Sequence, residues 1–361
     1  SYEFFYYLFE IISWQKNLLE EGYENGEFSQ SIDEIAEEEA HVLTQLQNLA
    51  QYQVLYGKVN AIFRTGGFTP SKLHEEMLRE IMNSNLLENA SLATSIRSNS
   101  IRLYSLGFSA IAESNIEKAS LHFQEVIELF EANEWLREDK AKRYLRSLGQ
   151  LLTCRVLLND RAGATEIYKK LESLEESEQF HDPDLIAFRF RILKQIQVEM
   201  ALMFDQKIQS DELFASIQQT KNVLSKEFEM MMHYRLALYE FSCGFHQRAL
   251  KHVNEIINNS DKELRQDIYG HVRVLNILIH LCLGNVDLVE YALKSTIRFY
   301  QQRERNHDAD IHFLKVLRVY NKQSSYDRAE FIKEGKLMSE FPSVKNMEDR
   351  FLELAIKKGM K

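Results

Sequence analysis

One pattern recurs five times along this chain: a helix-compatible apolar stretch, a short polar turn, then a small residue early in a second helix. The clearest copies are Leu103-Leu106-Gly107-Ala110 followed by Ala119-Phe123-Val126, and Leu148-Leu151-Leu152 followed by Ala164-Tyr168-Leu171. Later copies run Leu236-Ala237, Gly244, Ala249-Val253-Ile256; Ile277, Gly284-Asn285, Val289-Leu293; and Val316-Leu317, Ser324-Ser325-Tyr326, Ala329. Small residues let two helices approach closely, while large residues at three/four spacing fill the groove between them. Ser114-Asn115 and Asn159-Asp160 supply the polar turns of the first two copies.

Punctuation and composition both point to helix. Only three prolines and thirteen glycines interrupt 361 residues, and no β-branched run alternates strictly. Apolar residues at 45% and charged residues at 27% describe a folding chain rather than a disordered one. The formal charge of −10 argues against general nucleic-acid or anionic-membrane binding, which needs clustered Lys and Arg. Cys154, Cys243 and Cys282 are scattered through apolar helical stretches and read as buried free thiols in a reducing, cytoplasmic setting. No stretch approaches the roughly 18 apolar residues that span a bilayer. The segment Ser1 to Ile12 contains Glu3 and Glu10 and lacks a basic start, so it is not read as a signal peptide. Its aromatic run, Phe4 to Phe9, is expected to pack on upstream structure of a longer protein.

Ahead of the repeats, residues 2–21 read as one helix stopped by a Gly22 to Gly26 turn. A longer one starts at Ser31 and runs to about Arg64, with Ile32, Ile35, Val42, Leu46, Leu49, Tyr56 and Phe63 as its stripe and Ala36, Leu43, Ala50, Leu55, Val59 and Ile62 widening it. The spacing predicts packing within the chain rather than a dimeric coiled coil. Thr69-Pro70 and Asp182-Pro183 place a capping residue and a proline at helix starts, where the missing N–H costs nothing.

The repeated residues resemble the tetratricopeptide repeat over about residues 91–340. The resemblance departs in period: Ala119 to Ala164 is 45 residues and Val289 to Ala329 is 40, against about 34 for the family. An irregular pair, Leu185–Phe204 with Leu213–Leu224, fills the gap between copies. The resemblance implies an all-α fold, an α-α superhelix built as a TPR-like solenoid of antiparallel helix pairs over residues 91–361. An N-terminal helical module, 1–90, would precede it. It also implies a concave face lined by first helices, with Tyr104, Arg146, Gln150, Tyr234, Arg235, His271, Lys315, Arg318 and Lys322 as candidate peptide-binding residues. Ile101, Phe108, Thr153, Leu238, Val274 and Leu278 share those positions, and the plainer reading makes the apolar ones inter-repeat packing.

Catalytic constellations are absent from the pattern. There is no phosphate loop, nucleophile elbow or zinc helix, and no cofactor is expected. Asp308 and His312, four apart beside His307, form half of a metal-ligand spacing, more simply read as a solvated turn; no metal site is assigned. Glu37-Glu38-Glu39 and Glu175-Glu176 read as solvated helix faces. The expectation is a non-enzymatic scaffold holding a protein or peptide partner of acidic character, without nucleic-acid or membrane binding by this chain. The alternatives are a peptide-sensing regulator, similar to bacterial peptide receptors, with residues 1–90 as output, and an α-helical metal-dependent enzyme using His307, Asp308 and His312.

Overall fold

The computed structural model describes residues 3–25, 31–65, 72–220, 224–258, 266–302, 308–323, 336–339, 341 and 347–360, and among them every regular element is helical. Three helices lead: α1 (Phe5–Asn25), α2 (Ile32–Thr65) and α3 (Lys72–Met82). The short α4 (Asn85–Glu88) connects them to α5 (Ile96–Ala112), which pairs with α6 (Ile116–Ala132). After the short α7 (Glu134–Asp139), α8 (Ala141–Leu157) pairs with α9 (Arg161–Ser173). Then come α10 (Pro183–Phe204) with α11 (Ser210–Gln219), α12 (Lys226–Ser242) with α13 (His246–Asn258), and α14 (Gln266–Cys282) with α15 (Val286–Gln301). The chain closes with α16 (Asp308–Asn321), α17 (Lys336–Ser339) and α18 (Met347–Gly359). None of these helices is long and apolar enough to cross a membrane.

Four pairs are joined by the same turn. Ser114, Asn159, Gly244 and Gly284 each adopt a positive φ of 58°, 58°, 78° and 74°. In each turn the next N–H returns to a carbonyl five residues back: Asn115 to Ala110, Asp160 to Arg155, Phe245 to Glu240 and Asn285 to His280, at 2.9–3.0 Å. The left-handed residue itself bonds three residues back, as Ser114 does to Ile111. Both carbonyls left over at the helix end are thereby satisfied, the logic of the Schellman stop. Asn115 and Asp160 then cap the following helix, accepting from Lys118 N and Gly163 N. The irregular pair turns on Asp205, also left-handed and with the same return over five residues, and α10 starts as expected, with Asp182 capping ahead of Pro183. The expected last turn, Ser324 to Ala329, lies outside the described residues, as do Gly66, Gly67 and Thr69-Pro70.

Paired helices approach closely where the residues are small. A Cβ on Gly107 would stand 2.7 Å from the Phe123 ring, and Ala119, Ala164 and Ala249 are fully buried. Between pairs, α8 packs on α6 and α10, and α12 packs on α10 and α14. The main apolar core takes in residues from Phe5 to Met360, a smaller one gathers Val198, Leu213, Phe228 and Leu236 between α10, α11 and α12, and the N-terminal helices bury their stripes on the first through α2 and α5.

Three expectations need correction. Helix α1 passes through Gly22 to Asn25, because an interior glycine costs only about 1 kcal/mol and does not by itself end a helix. The α2 stripe divides: Ile35, Val42, Leu49, Leu55, Val59 and Ile62 are buried, whereas Ile32, Ala36, Leu43 and Ala50, at the flank of the stripe, are exposed. Cys154 is buried and its thiol is pushed up to about 12, and burial raises Cys282 to about 11, but Cys243 is exposed at the turn before Gly244.

Replacing Gly107 with alanine is expected to destabilise by about 1–3 kcal/mol, since the methyl overlaps the Phe123 ring. Ser114→Gly is expected to gain about 0.5–1 kcal/mol by relieving the left-handed serine. Urea midpoints of the two variants, read against the parent, check both.

Candidate functional site

Helix α18 returns along the chain to lie on helices that precede it by more than a hundred residues. Phe351, Leu352, Ala355, Ile356 and Met360 are buried, a three/four stripe that places a single apolar face of α18 against the array. The helix lies against α12 and α10. Its backbone comes close at Gly359, where a Cβ would stand 2.4 Å from the Phe241 carbonyl oxygen. Polar anchors hold both ends. Arg350 reaches the Ser114 carbonyl at 3.4 Å, Asp349 Oδ1 lies 3.0 Å from His271 Nε2 on α14, and Lys358 donates to Asp205 Oδ1 at 2.7 Å and to the Leu202 carbonyl.

At the centre sits a buried charge. Arg235, on α12, is 2% exposed, and its Nε donates to Glu199 Oε1 of α10 at 3.1 Å; Glu199 is fully buried and also accepts from Gln195. The guanidinium lies 4.3 Å from the Phe351 ring centroid. A buried ion pair is costly unless its charges are matched and its remaining surface is enclosed. Glu199 supplies the match, and Phe351 supplies a π-face over the cation. Beside it, Tyr234 OH lies 3.3 Å from His271 Nδ1, so Tyr234, His271 and Asp349 form a chain linking α12, α14 and α18.

The candidate residues named from the repeat resemblance divide by exposure. Tyr104, Tyr234 and Arg235 do not line an open groove: Tyr104 is covered by Tyr56 of α2, with ring centroids 5.4 Å apart, and the other two are closed in by their neighbours on α14 and α18. Burial raises the Tyr104 phenol above its ordinary range. Arg146 and Gln150 are half-buried on α8, and Arg146 Nη1 donates to Tyr56 OH at 3.0 Å. Lys315 and Lys322 are exposed on and just beyond α16, where Arg318 pairs with Glu290 and holds that carboxyl below its usual range. Of the nine residues, Tyr234, Arg235 and His271 are brought together around α18; Lys315, Arg318 and Lys322 belong to a separate patch.

Two arrangements escaped the sequence reading. A cleft of about 290 Å³ lies where Glu3 receives the Ile96 and Arg97 N–H groups at 2.7 and 2.9 Å, with Phe4, Tyr7, Leu49, Gln53 and Arg143 among its walls. A second of about 330 Å³ is lined by Phe214, Glu229, His233, His252 and Glu255. There the His233 and His252 Nδ1 atoms are 3.0 Å apart, so one ring donates and the other accepts. Burial, then His233, pushes His252 down to about 4; Arg248 and Lys251 act in the same direction and Asp211 opposes them. Of the sequence-level metal candidates, His307 lies outside the described residues and His312 is exposed; among the described residues no three His, Cys, Asp or Glu side chains gather to hold a metal. Glu39 pairs with Lys16, and Glu175 with Arg189 at 3.1 Å. Comparison with protein-family models, curated proteins and solved structures found no match to this chain.

Phe351→Ala is expected to weaken α18 docking by about 3 kcal/mol or more, because it removes a buried ring and uncovers a buried cation. Hydrogen exchange should then accelerate across 347–360 before the rest of the chain opens. The histidine pair sets a pH dependence. With a folded pKa of about 4 against 6.5, the unfolded chain takes up the His252 proton first on acidification. Stability present above about pH 6.5 is therefore lost toward pH 4, on the order of 2 kcal/mol after allowing for solvent screening. Urea titrations across that range, with His252→Gln as the flattened control, measure it.

Proposed function

We propose that this protein is a non-enzymatic, TPR-like helical-repeat scaffold whose first-helix face binds an amphipathic helical segment of a protein or peptide. The observation that carries the reading is α18 itself: an amphipathic helix seated on α10 and α12, with an aromatic anchor at its centre and polar contacts at its ends. Helix-in-groove recognition uses these parts, an apolar stripe at three/four spacing and a polar rim. In this reading the pairs form a superhelix with the first helices inside, and α18 is the resident occupant of the concave side.

A second reading, a peptide-sensing regulator, is favoured by one contact. Tyr56 of α2 touches Tyr104 and accepts from Arg146, so the N-terminal helices rest directly on residues of the first-helix face. A change of occupant on that face would be passed to α2.

Full-length protein and its Phe351→Ser variant, titrated with a fluorescent peptide of residues 347–360, test the scaffold reading. The resident helix competes at an effective concentration in the mM range. Anisotropy should therefore rise with the variant and far less with the parent. No binding to either protein overturns the reading.

A further inference from the structure

The α10 stripe that receives α18 continues past it. From Leu202 and Glu199, beneath Lys358 and Arg235, the spacing of four leads back through Gln195 to Arg191, with Phe188 one turn further. At that end cations gather around aromatic rings. Lys142 Nζ, Arg146 Cζ and Arg191 Cζ lie 5.7, 5.6 and 5.2 Å from the Phe188 centroid, and Arg143 Cζ lies 4.5 Å from that of Tyr56.

Elsewhere in this chain of net charge −10, many cations are matched with carboxylates, among them Lys58 with Glu80, Arg97 with Asp139, Arg155 with Asp160, Arg248 with Asp211 and Arg318 with Glu290, while single arginines such as Arg161 and Arg273 meet carbonyl or hydroxyl oxygens and rings instead. Among the described residues, no carboxylate stands within ion-pair distance of Lys142, Arg143, Arg146 or Arg191. Their polar partners are neutral: Tyr56 OH for Arg146 and Ser100 Oγ, at 3.4 Å, for Arg143. The Nε of Arg191 is buried and has no acceptor. Burial and the neighbouring Arg146 both weaken the hold of Arg191 on its proton, with Glu227 and Asp184 opposing from farther off. The negative faces of the rings offset part of this repulsion. Lys142 is exposed, but Arg143, Arg146 and Arg191 are half-buried, so their mutual repulsion is only partly screened by solvent.

We propose that Lys142, Arg143, Arg146 and Arg191 form a binding site for a carboxylate-rich stretch of the bound peptide, an inference that rests on the first-helix face being a peptide-binding surface. The planar guanidinium forks suit carboxylates bidentately, and Phe188 and Tyr56 provide flat walls for the side chains that carry them. The site lies on the same α10 stripe as the α18 seat, so one segment can engage both. What sets this site apart from single ring-stacked arginines such as Arg273 is that four cations gather at it without a carboxylate, which leaves the counter-charge to the ligand.

Fluorescence anisotropy with labelled hexaglutamate, with hexalysine and inorganic phosphate as comparison arms, tests the proposal on the full chain alongside thermal unfolding. Hexaglutamate should bind and raise the melting temperature, with affinity falling as salt is added. Arg146→Gln and Arg191→Gln should each weaken binding about tenfold. Arg191→Gln should also raise the melting temperature of the ligand-free protein, because repulsion is removed, whereas Arg146→Gln gives up its bond to Tyr56 OH as well; Arg191→Lys, which keeps the charge, should retain most of the binding. Binding unchanged in both glutamine variants overturns the site, as does binding of phosphate but not hexaglutamate. If the 347–360 peptide binds the Phe351→Ser protein and hexaglutamate does not, the anion site alone fails. If neither binds, the peptide-binding face fails with it.

Discussion

The architecture depends on reversing a helix without leaving its last carbonyls unsatisfied. Five times the chain does so with the same device, a left-handed residue at 114, 159, 205, 244 or 284 and a hydrogen bond from the next residue back over five positions. The device sets the second helix antiparallel to the first at close range. That range is tolerable only where the crossing residues are small, as Gly107 is beneath Phe123. A helix pair so formed still exposes an apolar side, which the next pair covers. Hence the main core is one body with members from Phe5 to Met360, with a smaller one beside it between α10, α11 and α12.

Within this body, Arg235 makes the α18 seat more than a hydrophobic contact. A buried guanidinium has to be matched and enclosed, and the two requirements are met from different elements: Glu199 on α10 and Phe351 on α18. Docking of α18 is thereby tied to the α10–α12 interface, and loosening one weakens the other. The Tyr234–His271–Asp349 chain extends the same tie to α14. Along α10 the electrostatic character then changes, from a matched pair at Glu199 to unmatched cations around Phe188. Matched charges hold elements of the chain together; unmatched ones on the same face are what an outside anion would meet.

Much of the helical plan was legible in residue order. The polar turns at Ser114-Asn115 and Asn159-Asp160, the start at Asp182-Pro183 and the length of α2 all follow from local preferences, and they stand where those preferences put them. Gly22 misled because an interior glycine weakens a helix without ending it. The site was less legible. Tyr234, Arg235 and His271 meet in one cluster, yet they are covered; Phe351, which lies over Arg235, is 116 positions further along the chain. The lone Glu199 in the apolar stretch Val198-Glu199-Met200-Ala201 was a signal that a buried cation partner existed, without saying which one.

By itself, then, the amino-acid sequence determined most of the long helices and the turns of the first two pairs, because capping, left-handed turns and three/four spacing act over a few residues. Only the tertiary structure decided which side of each helix is covered. The α2 stripe divides between a buried face and an exposed flank, Cys243 is left at a turn, and α18 returns to lie on α10 and α12. Those outcomes are set by contacts between residues far apart in the chain, whose energies depend on shape and charge at the meeting point and leave no periodic trace in the order of residues.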